Sequence, residues 1–178
     1  MQRILLIGGN GSGKTTLARA LGQRLSLPVT HLDSLYWREH WQPVPDAEFD
    51  TLLAPLLDQP RWIIDGNIRR TLARRLEACD TVIYLDYPAW LCTWRAFKRL
   101  LGTLGRSREE IDGCIEGLNR RKLRFLVSVA QFNRRNRSKY YALLKNAPHA
   151  RQLIFRSPRQ LRRWLSTLPY AKEDVYES

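Results

Sequence analysis

Short apolar runs bounded by turn residues recur along the chain, at Arg3–Ile7, Pro28–Leu32, Trp62–Asp65, Thr81–Asp86 and Gln152–Arg156, with helix-forming stretches between them. A run that is apolar at successive positions, such as Ile4-Leu5-Leu6-Ile7, suits a strand buried on both faces, and such strands belong to parallel sheets covered by helices. The alternation predicts an α/β fold with a five-stranded parallel sheet flanked by helices. Leu17, Leu21 and Leu25 recur every four residues and mark the first helix. Asp46 reads as the N-cap of a helix through about Asp58, with Pro55 expected to kink or shorten its last turn. Ala89–Leu104 reads as a helix whose pattern Gly102 and Gly105 break, and Ser107–Leu144 has room for two or three arginine-rich helices. No repeat or low-complexity linker is visible, so residues 1–178 read as a single domain, with 100–144 a lid-like helical insertion before the last strand. The acidic stretch 172–178 reads as a frayed tail.

The chemistry begins where the first strand ends. Gly8-Gly9-Asn10-Gly11-Ser12-Gly13-Lys14-Thr15 spells G-x-x-x-x-G-K-[ST], the loop whose backbone N–H groups wrap a nucleotide's phosphates. Glycines are needed because side chains would obstruct that concave conformation. Strand, loop, Lys-Thr and helix occur in the required order, which a glycine turn that merely precedes a helix would not need. Gly8, Asn10, Gly11, Ser12, Gly13, Lys14, Thr15 and Thr16 are therefore the candidate ATP-binding residues. Lys14 is placed to reach the β- and γ-phosphates, Thr15 to bind Mg²⁺, and the helix N-terminus adds its partial positive charge.

Charge narrows the question of partners. A net charge of +13 and a pI near 10.3 attract phosphate in any form. The excess is concentrated: Arg95 to Lys139 holds thirteen lysines and arginines against four acids, Glu109, Glu110, Asp112 and Glu116. Cys79, Cys92 and Cys114 are odd in number and far apart, which suits reduced structural thiols in a cytoplasmic protein and gives no paired metal-ligand spacing. No apolar stretch approaches the roughly 20 residues that span a bilayer.

Phosphoryl transfer needs a metal, a lysine and arginines around the migrating charge, with water excluded. Three further constellations fit that demand. Trp62-Ile63-Ile64-Asp65-Gly66 is an apolar strand ending in a carboxylate, a candidate for the Mg²⁺ shell or else an ordinary Asp-Gly turn. Asp86-Tyr87-Pro88 precedes Arg95 and Arg99, which share a helix face at spacing i, i+4. Arg106 and Arg108 near the start of the insertion, and Arg134, Arg135 and Arg137 near its end, suit a flap that closes over ATP, or a solvated basic surface. His31-Leu32-Asp33 closes the second strand at the ligand-binding edge of the sheet; Asp33 is placed to contact an acceptor, bind Mg²⁺ through water, or cap the next helix. Leu35, Tyr36, Trp37 and Trp41 follow, as base-stacking or core residues.

The arrangement resembles the nucleoside monophosphate kinases, adenylate kinase in particular. Gly8 to Thr15 matches their phosphate loop, and Asp65-Gly66-Asn67-Ile68-Arg69 is similar to their Asp-Gly-x-x-Arg, which implies that Arg69 binds the acceptor phosphate beside Asp65, Gly66 and Asn67. Asp86-x-Pro88 followed by Arg95 and Arg99 has the spacing of their approach to the lid, implying contacts to the ATP base and phosphates. His31-Leu-Asp33, Trp37, Trp62 to Asn67, Tyr84 to Pro88, Trp90-Leu-Cys92 and Trp94-Arg95 resemble more closely the FlaR-like DNA topology modulation proteins. The resemblance implies a strand order 2-3-1-4-5 and a transferase that moves the γ-phosphoryl of Mg·ATP to a small acceptor, most simply a nucleoside monophosphate. On that reading Lys14, Arg95, Arg99 and Arg135 serve catalysis, Thr15 and Asp65 the metal, and Asp33 and Trp37 the acceptor. Asn67-Ile68 stand where adenylate kinases have a proline before the arginine, and Arg70 adjoins Arg69, so the phosphate-binding arginine is open between them. A hydroxyl-acceptor kinase of the shikimate or gluconate type, with Asp33 as base, is one alternative. A nucleic-acid-binding ATPase using the basic segment is the other, and it predicts a steep loss of affinity with salt.

Overall fold

The computed structural model describes residues 1–102, 107–108, 111–115 and 120–169, with only the backbone described at 40, 107–108, 111–115 and 120–122. Gly105, Arg106, the Arg108 and Cys114 side chains and the acidic tail lie outside the described residues.

The elements run β1 (Arg3–Gly8), α1 (Lys14–Leu25), β2 (Val29–His31), α2 (Leu32–Tyr36), β3 (Trp37–Arg38), β4 (Gln42–Pro43), α3 (Asp46–Asp58), β5 (Trp62–Asp65), α4 (Leu72–Ala78), β6 (Thr81–Leu85), α5 (Ala89–Gly102), β7 (Ser107–Arg108), β8 (Ile111–Ile115), α6 (Arg120–Ala130), α7 (Phe132–Lys145), β9 (Arg151–Phe155) and α8 (Pro158–Thr167). The main sheet is parallel and ordered β2-β5-β1-β6-β9, which counted along the chain is the expected 2-3-1-4-5. The five strands are those the apolar runs mark, shifted at their ends by a residue or so.

Alternation of side chains across the strands divides the core between the two sheet faces. Leu5, Ile7, Trp62, Ile64, Val82 and Tyr84 point to one face, where α3, α4 and α7 cover them. Ile4, Leu6, Ile63, Ile83 and Leu85 point to the other and meet Leu17, Ala18 and Leu21 of α1 and Ala96 of α5. Emptying such a position, as Ile64→Ala would, costs about 2–5 kcal/mol because the tight surroundings relax little.

Two local expectations differ from the structure. Pro45, and not Asp46, occupies the N-cap of α3. Asp46 opens the helix in its first turn, where a carboxylate opposes the helix dipole, and pairs with Arg70 at 3.1 Å. Pro55 does not end α3 early, because the carbonyl it leaves without a helical donor is that of exposed Thr51, where water serves. The basic segment contains the helices α6 and α7 and, in addition, a short antiparallel pair, β7 with β8. No described helix is long and apolar enough to cross a membrane.

Candidate active site

The phosphate loop sits at the carboxyl edge of the sheet, between β1 and α1. Its shape depends on glycine: Gly11 has φ of +78°, and a Cβ there would lie 2.2 Å from the Cys92 carbonyl oxygen of α5. Gly13 is the N-cap of α1 at φ +95°, a left-handed conformation that glycine adopts without strain, and Ser12 N–H closes the loop on the Gly9 carbonyl at 3.2 Å. The Ser12 hydroxyl is buried in the loop without a partner, an acceptor or donor held ready for a ligand. The Lys14 ammonium donates to the carbonyl oxygens of Gly8 at 2.9 Å and Gly9 at 3.1 Å. Burial pushes its pKa down, while Asp65 and then Asp33 pull it back up.

Register brings the carboxylate in. Asp65, at the end of β5, pairs with Leu6 of β1 on one side and with His31 of β2 on the other. Its side chain is buried, yet both oxygens are engaged: Thr15 Oγ1 donates to Oδ2 at 3.0 Å, and His31 Nδ1 lies 2.7 Å from Oδ1. A threonine hydroxyl next to a buried carboxylate is an all-oxygen donor set, the kind that suits Mg²⁺ completed by waters and phosphate oxygens. The unpartnered Ser12 hydroxyl and the N-terminus of α1 at the end of the loop fit a nucleotide's phosphates. Thr15 and Asp65 could therefore hold a metal, and Gly8 to Thr16 could hold phosphates.

A cavity of about 780 Å³ opens over this loop. Asn10 to Thr16, His31, Asp33, Asp65, Gly66, Arg95 and Arg99 all line it. Asp33 lies inside the first turn of α2 and does not cap it: the N-cap is His31, with no side-chain capping bond, and Asp33 lines the cavity instead. Arg95 reaches the Ser12 carbonyl at 3.4 Å with its guanidinium 5.8 Å from the centre of the Tyr87 ring, and Arg99 follows one turn later. The opposite wall comes from α8, through Pro158, Leu161, Arg162 and Leu165.

Other expected residues lie apart from the cavity. Asn67, Arg69, Trp37 and Arg135 are not among its lining residues. Arg69 donates to Asn136 of α7 at 3.1 Å. Arg70 is held by both oxygens of Asp50, at 2.8 and 2.9 Å, and that hydrogen bonding holds Asp50 below its ordinary pKa. Of the two adjacent arginines, Arg69 is the one directed toward the α7 side. Trp37 packs edge to face on Tyr36 and on Trp41, and Tyr36 on Phe49, so these aromatics form a satellite of the core beneath β3 and β4. Arg134, Arg135 and Arg137 are all exposed on α7, and Arg137, half exposed, is tied to a buried carboxylate: its Nη2 and Nε donate to Asp86 Oδ2 at 2.8 and 3.0 Å, and Tyr141 donates to the same oxygen at 2.9 Å.

Three parts of the site are invisible to motif reading. The His31–Asp65 pair depends on strand register. Arg75, fully buried in α4, donates to the carbonyls of Gly66 and Ile68 and so fixes the turn after Asp65; burial pushes its pKa down to about 10. The α8 wall lies more than 140 residues beyond the phosphate loop, and only the i, i+4 spacing of Leu161 and Leu165 hints at a covering face.

No protein family model matches the chain, and neither does any curated protein. Solved structures do. A shikimate kinase from Bacteroides thetaiotaomicron superposes with a TM-score of 0.55 at 18% identity, over 93% of this chain and 94% of that one. A shikimate kinase from Acinetobacter baumannii in complex with shikimate gives 0.54 at 20% identity, over 93% and 89%. A sugar kinase from Janibacter, without ligand, gives 0.50 at 17%, over 93% of each chain. The chain has the fold of the P-loop kinases.

Proposed function

We propose that the chain is a P-loop phosphotransferase that moves the γ-phosphoryl group of Mg·ATP to a small acceptor. The observation that carries this reading is the meeting of Lys14, Thr15 and Asp65 at one sheet edge, with Thr15 Oγ1 3.0 Å from the Asp65 carboxylate. Bound Mg·ATP would supply the phosphoryl group and a cation that offsets the negative charge of its phosphates. The chain's own residues do the rest. Lys14 leaves the Gly8 and Gly9 carbonyls to meet phosphate, a move favoured because its buried ammonium, among the described residues, is held by these two carbonyls and by no salt-bridging carboxylate. Thr15 and Asp65 hold the metal shell. Arg95 and Arg99 add positive charge from α5, and α8 closes the nucleotide side against water.

The acceptor is one with a hydroxyl group. Asp33 lines the cavity and acts electrostatically on Lys14; a carboxylate there can take the proton from an alcohol as phosphate adds, a task that an already ionised phosphate acceptor does not need. The shikimate kinases that share the fold support this choice. A nucleoside monophosphate is the second reading and places the chain with the adenylate-kinase-like and FlaR-like proteins its motifs resemble. What favours it is Asn67, whose amide nitrogen and oxygen are both buried without a partner next to Arg69. In either case the lid is the part of 100–144 that precedes α7, whose Tyr140 and Leu144 are buried in the core, and Arg135 of α7 adds its charge when the lid closes. Labelled ATP offered with hydroxyl acids, sugars and nucleoside monophosphates decides between them: transfer to an alcohol that Asp33→Asn abolishes supports the first, and transfer to a monophosphate that Arg69→Ala abolishes supports the second.

A further inference from the structure

His31 lines the cavity, the reaction as described gives it no task, and its geometry gives it one. It closes β2, and its Cα partner across the parallel ladder is Asp65. Residues paired in this way project to the same face of the sheet. Their side chains meet at 2.7 Å, Nδ1 to Oδ1, with 5% of the Asp65 side chain and 20% of the His31 side chain exposed.

We infer that His31 is a positioning residue: it fixes the plane of the Asp65 carboxylate so that Oδ2 faces the metal shell. The inference rests on the reading of Asp65 as the metal-holding carboxylate. In the structure Asp65 is held at both ends, Oδ1 by His31 and Oδ2 by the Thr15 hydroxyl. When Thr15 turns an oxygen lone pair to a cation, its proton is redirected and the hydrogen bond to Oδ2 is the one at risk. The His31 bond at Oδ1 is away from that exchange and persists. A carboxylate only accepts, so a neutral His31 ring must carry its proton on Nδ1 to donate there. Outer hydrogen-bond partners of metal-holding carboxylates are worth about 10–100-fold in metal affinity.

Geometry also says which substitution keeps the function. An asparagine amide nitrogen stands near the Nδ1 position, a glutamine amide nitrogen reaches nearer Nε2, and phenylalanine keeps the ring without a donor. The test measures Mn²⁺ binding to the ADP-loaded chain by loss of the free-ion electron paramagnetic resonance signal, with Asp65→Asn as a control and thermal unfolding alongside. His31→Gln and His31→Phe should weaken Mn²⁺ about 10–100-fold, His31→Asn should stay within a few-fold of the parent, and metal-free ADP binding should not change. Parent-like Mn²⁺ affinity in His31→Gln and His31→Phe, with Asp65→Asn impaired, overturns the role of His31 and leaves the phosphotransferase reading standing. Parent-like affinity in Asp65→Asn as well overturns the reading of Asp65 itself. Nitrogen-15 spectra of the unmutated chain give a check free of folding effects: a neutral His31 ring protonated on Nε2 and bare at Nδ1 contradicts the inference.

Discussion

The phosphate loop and the α7 side of the sheet edge both handle charge, but they are built in opposite ways. The loop uses backbone groups and residues adjacent in sequence, with Gly11 pressed against α5 and Lys14 folded back on the Gly8 and Gly9 carbonyls. The α7 side uses side chains from separate segments: Asp86 after β6 with Arg137 and Tyr141, Arg69 after β5 with Asn136, and Asn133 donating to the Tyr87 carbonyl at 2.8 Å. The first is arranged to receive a ligand at the expense of stability; the second is a clasp that holds α7 onto the sheet. Function and stability should therefore respond oppositely to mutation in the two regions.

The largest effect is expected at Lys14. Lys14→Met should lower phosphoryl transfer by about three orders of magnitude or more, roughly 4 kcal/mol at 1.4 kcal/mol per decade. The melting temperature of the nucleotide-free protein should be no lower than the parent's, because burial already disfavours the Lys14 charge. A large fall in melting temperature would make Lys14 a core residue and erase the contrast.

Arg137 and Arg135 sharpen the comparison within one helix turn. Arg137→Met leaves the buried Asp86 carboxylate without its half-exposed cation, with Tyr141 still donating to it, and should cost about 1–2 kcal/mol of unfolding free energy in urea. Arg135→Met, on the exposed face, should fall within about 0.5 kcal/mol while lowering transfer. Equal destabilisation by the two changes would contradict the clasp.

The smallest effect separates Arg69 from Arg70. Arg70→Ala removes exposed ion pairs to Asp46 and Asp50 and should leave the urea unfolding midpoint close to the parent's with kcat and KM unchanged. A rise in acceptor KM from Arg70→Ala would return Arg70 to the site.

This contrast also explains what the sequence makes legible. Parallel strands buried on both faces announce themselves as apolar runs, and a loop made of consecutive residues carries its chemistry as a motif, so β1, Gly8 to Thr15 and Asp65 could be read from spacing. His31 against Asp65, Arg75 under Gly66 and Arg137 on Asp86 depend on which strand lies beside which and on how helices dock. Those relations span 34, 9 and 51 residues and leave no periodic trace. The aromatic stretch from Tyr36 to Trp41 was ambiguous for a related reason: stacking on a base and packing under a hairpin demand the same residues. Arg70 illustrates the same limit, since only its proximity to α3 shows that Asp50 holds it.

The central claim is tested most directly by following the γ-phosphorus of ATP by phosphorus-31 resonance in the presence of Mg²⁺ and a mixture of small hydroxyl and monophosphate acceptors, for the parent chain and for Lys14→Met. The account predicts a new phosphate ester in the parent sample, absent without Mg²⁺ and lost in Lys14→Met, and little affected by duplex DNA at physiological salt. Release of inorganic phosphate alone, stimulated by DNA and suppressed as salt rises from 50 to 200 mM in the manner of binding through many phosphates, would contradict it.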